Sequence, residues 1–219
     1  MLSSSKKHPT ILIYSYFCRE VKESIEHLTR EPHIADIIRV VGEIEAKPSG
    51  GLYIDLLESI ISQQLSVKAS ETIFRRFLLL FDNGYPDVSV LSLMTPEQLR
   101  LAGVSQQKAQ YILSAARFAK EHNLEQKRWD DMPDEEIIQF LTQIDGVGRW
   151  TVEMLLIFSL RRQDVFPVDD LGIRRSMVRL FGLQESGREL KKRMIQLAEA
   201  WRPWRTTASL YLWRWKGQF

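Results

Sequence analysis

Leu141-Thr-Gln-Ile-Asp-Gly-Val-Gly-Arg-Trp-Thr-Val-Glu-Met-Leu-Leu156 reads as the end of one helix, a tight turn at Gly146-Val147-Gly148, and the immediate start of another helix. Two glycines one residue apart permit left-handed backbone angles and close approach of a second backbone. The amides of the turn and of the new helix's first turn then point outward together. That is an anion site built from backbone dipoles, able to hold phosphate without a lysine side chain. The same spacing also suits an ordinary tight corner between two helices.

Outward from this stretch the periodicity is helical nearly everywhere. Leu52, Leu56, Leu57, Ile60, Ile61 and Leu65 follow steps of three and four, one buried helix face. Val67 to Phe81 forms another helix with Phe74, Phe77 and Leu78 inward. Thr95-Pro96-Glu97-Gln98 is a helix start, with a capping hydroxyl, proline at the first helical position and glutamine three residues on. Further helices are expected at Ser105–Lys120, Asp134–Thr142 behind Pro133, Arg149–Leu160, Asp170–Phe181, Arg188–Trp201 and Thr206–Trp215. Only Thr10–Phe17 and Gln163–Phe166 look weakly extended. The expected fold is all-α, about ten short helices in two packed subdomains with a cleft between them. Breaks at Lys47-Pro-Ser-Gly-Gly51 and near Arg162–Pro167 divide residues 51–160, a central bundle, from a flanking subdomain of 13–50 and 161–219. Residues 1–12 are expected to be a flexible N-terminus.

The 219 residues are 44% hydrophobic and 26% charged, enough apolar surface to bury a core. Thirty Lys+Arg against 28 Asp+Glu leave a net charge of +2, so any nucleic-acid contact must rest on local charge. One cysteine, Cys18, excludes a disulfide framework, a Cys-ligated iron–sulfur cluster and a thiolate zinc cluster. His8, His27, His33 and His122 are scattered, with no metal-type spacing. No apolar run is long enough to span a bilayer, and the polar, basic start is too weak for a signal peptide. The expectation is a soluble, intracellular protein with no membrane partner.

In Phe166-Pro-Val-Asp-Asp-Leu-Gly-Ile-Arg-Arg175 the adjacent Asp169 and Asp170 point in different directions and cannot share a proton. One should cap the following helix, and Asp169 is the expected cap. The other, Asp170, is then available for general-base work or electrostatic stabilisation of a cation. Trp150, Trp201, Trp204, Trp213 and Trp215 crowd the C-terminal half among Arg202, Arg205, Arg214 and Lys216. Such interleaving can stack bases and hold phosphates, although tryptophans in a small helical protein are more often core, above all Trp201 and Trp204. Trp150 differs because it follows the phosphate-type turn directly.

The run Ile144–Met154 resembles the helix–hairpin–helix of the DNA glycosylase superfamily, and Asp170, twenty positions after Trp150, matches that superfamily's essential aspartate. Ser62-Gln-Gln-Leu-Ser-Val67, Ala102-Gly-Val-Ser-Gln-Gln-Lys-Ala109 and Trp201-Arg-Pro-Trp-Arg205 with Leu212-Trp213 are similar to its alkylated-base branch, the DNA-3-methyladenine glycosylase II type. The resemblance runs over about residues 30–215, in order. It implies an enzyme of base excision repair that flips a damaged base out of double-stranded DNA. Asp170 would be catalytic. Trp150, Met154, Leu171 and Trp213 would line the base pocket, and Gln64 with Leu65 would be the wedge filling the duplex. Gly146, Gly148, Arg149 and Lys108 would hold the DNA backbone. Members often bind a monovalent cation at hairpin carbonyls, here those of Thr142, Ile144 and Val147, and no other cofactor is implied.

Two departures narrow the chemistry. Bifunctional relatives carry a lysine after the hairpin, where its amine forms a Schiff base with the sugar. Here that slot is Trp150, so the expected enzyme is a hydrolytic, monofunctional glycosylase without lyase activity. Relatives with an iron–sulfur cluster need four cysteines near the C-terminus, which this chain lacks. Met154, where some relatives have an aromatic, gives a softer pocket wall. A monomer is the expected state, in the nucleoid of a bacterium or the nucleus of a eukaryote. The alternatives are a non-catalytic helix–hairpin–helix clamp, a glycosylase for hypoxanthine, ethenoadenine or uracil, and a purely structural helical protein.

Overall fold

Helix periodicity without strand alternation produces helices and turns only: no strand occurs among the described residues. The computed structural model describes residues 22–44 and 49–215. The N-terminal segment 1–12, the extended stretch Thr10–Phe17, His8, Cys18 and Lys216 lie outside them, as does part of the break after Lys47. In chain order the helices are α1 (residues 22–28), α2 (Pro32–Val41), α3 (Leu52–Ser62), α4 (Val67–Leu78), α5 (Val88–Leu91), α6 (Pro96–Arg100), α7 (Gln106–His122), α8 (Asp134–Leu141), α9 (Arg149–Phe158), α10 (Leu171–Phe181), α11 (Gly187–Ala198) with a 3-10 turn at Glu199–Trp201, and α12 (Arg205–Trp215). They form two compact units, Lys47–Arg161 and the pairing of Met1–Ala46 with Arg162–Phe219.

In the unit of Lys47–Arg161, α3 is apolar on more than one face, and Leu52, Tyr53, Leu56, Leu57, Ile60 and Ile61 are all buried. A helix of that kind is surrounded, and α3 packs on α4, α7 and α9. Asp55 fastens its first turn by accepting from Ser49 Oγ, the Gly50 amide and, at 2.6 Å, Ser159 Oγ at the end of α9. Thr95 and Gln98 close the reciprocal capping box that opens α6, as their spacing indicates. α5 escapes periodicity because it has only four residues, held by Asp87 accepting from the Ser89 and Val90 amides.

In the second unit, Ile34, Ile37, Ile173, Met177, Met194, Trp201, Ala208 and Leu212 form one buried cluster. Its α2 has an uncommon cap, Glu31, whose carboxylate accepts from the Ile34 amide at 2.8 Å. Gln163–Phe166 is not a strand. It is pinned by the start of α12: Thr206 Oγ1 donates to Arg162 O and accepts from the Val165 amide, and the Thr206 amide donates to Gln163 O. Arg205 forks onto the Asp164 carboxylate and Arg202 reaches it too. These arginines therefore do not stand among the tryptophans as phosphate ligands. They fix the segment that leads into Asp170. Trp201 is core, as its residue type favours.

Candidate active site

The hairpin forms where the glycines place it. α8 ends at Leu141, Gly146 has φ +78°, and Gly148 is the N-cap of α9 with no side chain to cover the turn. Gly146 is obligatory for a second reason. A Cβ there would lie 2.2 Å from the Tyr111 ring, so the hairpin backbone rests directly on that aromatic face. Ser114, one turn along α7, donates to the Asp145 carboxylate at 3.0 Å. Gly146 and Gly148 are exposed, whereas Val147 is buried and its amide closes the turn onto Ile144 O at 3.0 Å.

Trp150 is 45% exposed in the first turn of α9, and Met154 is half-buried one turn later on the same face. Arg149 is turned onto its own protein. Its guanidinium forks onto Glu135 at 2.9 and 2.7 Å and reaches Glu153 at 3.2 Å. The hydrogen bonds from Arg149 are the leading cause that holds the Glu135 carboxyl below its usual range. One cation between two carboxylates offers a phosphate little net attraction, and Arg149 instead braces α9 against α8.

The loop expected to act as the wedge follows α3. Gln64 takes the left-handed conformation, φ +57°, and both it and Leu65 are exposed. Lys108, expected on the DNA backbone, is bound within the protein: Nζ donates to Ile61 O at 2.8 Å and Gln63 O at 2.6 Å. Burial lowers its pKa.

In the other unit the structure reverses the expected division of labour between the two aspartates. Asp170, not Asp169, is the N-cap of α10, its Oδ1 accepting from the Ile173 amide at 2.9 Å. The same oxygen accepts from Trp213 Nε1 at 2.7 Å. Asp169 is exposed and ion-paired with Lys191. The reason is backbone register: the turn at Pro167–Asp170 leaves Asp170 extended, at φ −67° and ψ 126°, where a cap must be. The cap and the carboxylate expected to be catalytic are thus one residue. Leu171, the next residue, is 58% exposed.

Gln63, Tyr111, Glu135 and Lys191 were not signalled as site residues by the sequence. Tyr111 had a legible cue, since it lies three positions after Lys108 on one helix face.

The chain thus combines a helix–hairpin–helix with two glycines, an aspartate capping a helix downstream and a left-handed residue in the loop after α3. A family profile, the HhH-GPD superfamily base excision DNA repair protein, matches residues 57–203. The chain belongs to the HhH-GPD superfamily. Among HhH-GPD relatives, DNA-3-methyladenine glycosylase 1 of Schizosaccharomyces pombe is 40% identical over 164 residues, 74% of this chain and 71% of that one. The solved structure of a 3-methyladenine DNA glycosylase of that yeast, in complex with abasic DNA, is 36% identical with a TM-score of 0.76 and covers 88% of this chain and 95% of that one. A DNA-3-methyladenine glycosidase from Bacillus halodurans superposes with a TM-score of 0.77 at 33% identity, covering 88% of both chains. The HhH-GPD hairpin is Gly146-Val147-Gly148, and its second helix is α9.

Proposed function

We propose that this chain is a monofunctional DNA glycosylase of base excision repair that hydrolyses the N-glycosidic bond of alkylated purines, 3-methyladenine and 7-methylguanine among them. Asp170 carries the reading. Two donors on one oxygen fix its orientation, and an oriented carboxylate is the group that stabilises a cationic sugar. As the bond between C1′ and the base nitrogen breaks, its electron pair leaves with the base, and positive charge develops on the sugar. The carboxylate faces that charge and takes a proton from the water whose oxygen bonds to C1′. An alkylated purine is already cationic and leaves neutral, so no strong acid is needed at the base. Trp150, with Met154 behind it, offers an electron-rich face worth about 0.5–2 kcal/mol to a cationic ring. The family resemblance assigns Leu171 and Trp213 to the base as well.

Double-stranded DNA is the partner, gripped at the hairpin by backbone amides around Gly146 and Gly148, with Gln64 and Leu65 filling the gap a flipped base leaves. A monomer suffices for one lesion, and the site of action is the nucleoid or nucleus. The carbonyls of Thr142, Ile144 and Val147 follow the C-terminus of α8, the negative end of a helix, and are neutral oxygen donors that suit a monovalent cation. Such an ion would hold the turn's shape and takes no part in the chemistry.

The deciding experiment incubates the protein with methylated duplex and measures free base and strand breakage without alkali. Methylated purines released from intact strands are the expected result. Breakage accompanying release overturns the monofunctional reading, and bound DNA with no release favours a clamp.

A further inference from the structure

Three independent contacts tie the wedge loop and the hairpin to each other and to one face of α7. Lys108 Nζ donates to Ile61 O, the penultimate carbonyl of α3, and to Gln63 O, that of its C-cap. Gln63 Nε2 donates to Gly146 O at 3.0 Å, crossing directly from the wedge loop to the hairpin. Tyr111, one turn beyond Lys108, seats its ring under Gly146. The carbonyl end of α3 is the negative end of a helix, where an ammonium binds favourably. Its strain lies in the next residue, Gln64, whose left-handed backbone a non-glycine residue holds only when its surroundings impose it.

We infer that Lys108 is a positioning residue for the wedge, not a phosphate contact: it clamps the end of α3 so that Gln64 and Leu65 stay projected while Gln63 fixes them in register with the hairpin. The wedge and the grip on the DNA backbone then act as one rigid piece, so that seating a phosphate at Gly146-Val147-Gly148 sets where the wedge enters the stack. The inference rests on the glycosylase reading for what the wedge does, but not for what Lys108 touches.

Its test uses a short duplex with a reduced abasic site and 2-aminopurine beside it, whose fluorescence rises when the neighbouring stack is opened. Lys108→Met keeps most of the side chain's length and removes its donors. The slope of log Kd against log salt should match wild type, because no phosphate contact is lost, while the 2-aminopurine rise at saturating protein is largely lost. Lys108→Arg, which keeps donors, should restore it. A slope lower by about 0.9, the signature of one phosphate contact, with full fluorescence overturns the inference. So does a variant that matches wild type in both. Should Lys108→Met fail to fold, Gln63→Leu breaks only the bridge to Gly146 and should lose the fluorescence rise at unchanged slope; a full rise overturns the coupling. Failure of the glycosylase reading shows separately, as no base release by wild type from methylated DNA, and leaves the salt slope to decide Lys108.

Discussion

Trp213 Nε1 donates to Asp170 Oδ1 at 2.7 Å, on the oxygen that also accepts the Ile173 amide at 2.9 Å. The Asp170 carboxylate is therefore held from two sides, by the helix it caps and by an indole forty-three residues later in the chain. Asp170→Asn separates charge from scaffolding. Asparagine caps a helix about as well as aspartate, and its carbonyl oxygen can accept from the same two donors. Folding stability should stay within about 1 kcal/mol of wild type. Base release should vanish while duplex binding persists. Chromatography of released base, fluorescence anisotropy and a thermal melt check all three, and retained activity removes Asp170 from its role.

Trp213→Phe removes the donor and keeps an aromatic ring. A hydrogen bond to a charged group contributes about 1.5–3 kcal/mol, roughly a tenfold or larger effect on rate if it acts in the transition state. The expected outcome is a fall in kcat with KM nearly unchanged. If Trp213 acted only as a pocket wall, KM would rise and kcat would hold, so single-turnover kinetics at several DNA concentrations distinguish the two.

Much of this was legible in the sequence, and the lapses share a cause. Capping signals are local, so Thr95 with Gln98, and Pro133 ahead of α8, announce themselves within four residues. Gly146-Val147-Gly148 is likewise local. Partnerships across the chain are not. Lys108 binds carbonyls 45 and 47 residues away, and nothing in its own neighbourhood distinguishes that from an exposed cation. Arg205 and Asp164, 41 residues apart, make the same point. The choice between Asp169 and Asp170 as cap failed by one residue because it depends on the ψ angle after Pro167, which composition does not report. α2 was missed because its cap is a glutamate, outside the usual set.

The two hairpin glycines should respond differently to alanine. Gly146 combines φ +78° with a Cβ position 2.2 Å from the Tyr111 ring, so Gly146→Ala must displace the hairpin. A loss of about 1–3 kcal/mol in stability and a severe loss of DNA binding are expected. Gly148 has φ −96° and open space where a Cβ would go. Gly148→Ala should cost only what alanine costs at the N-cap of α9, about 0.5–1 kcal/mol, and weaken duplex binding for all sequences alike. Equal melts for the two variants would contradict the close approach to Tyr111.

Glu135 limits what Arg149 can do for DNA. Its carboxylate is more than half exposed, so Glu135→Gln should cost under about 1 kcal/mol in stability. The variant relieves Arg149 of one of its two carboxylates and leaves it free to turn toward a phosphate. Affinity for duplex should rise several-fold, and the salt slope should steepen by about 0.9 for the added phosphate contact. The same switch is reachable through pH. Glu135 titrates below its ordinary value of 4.5, chiefly because Arg149 hydrogen-bonds its ionised form. Its stabilising contribution is thus complete above that ordinary value and disappears as pH falls through the lowered one. At neutral pH the wild type should bind DNA more weakly than Glu135→Gln, and the two should converge in acid. Anisotropy titrations of both proteins at neutral pH and well below pH 4.5 test this, and identical salt slopes at neutral pH would show that Arg149 stays on α8 even when its partner loses charge.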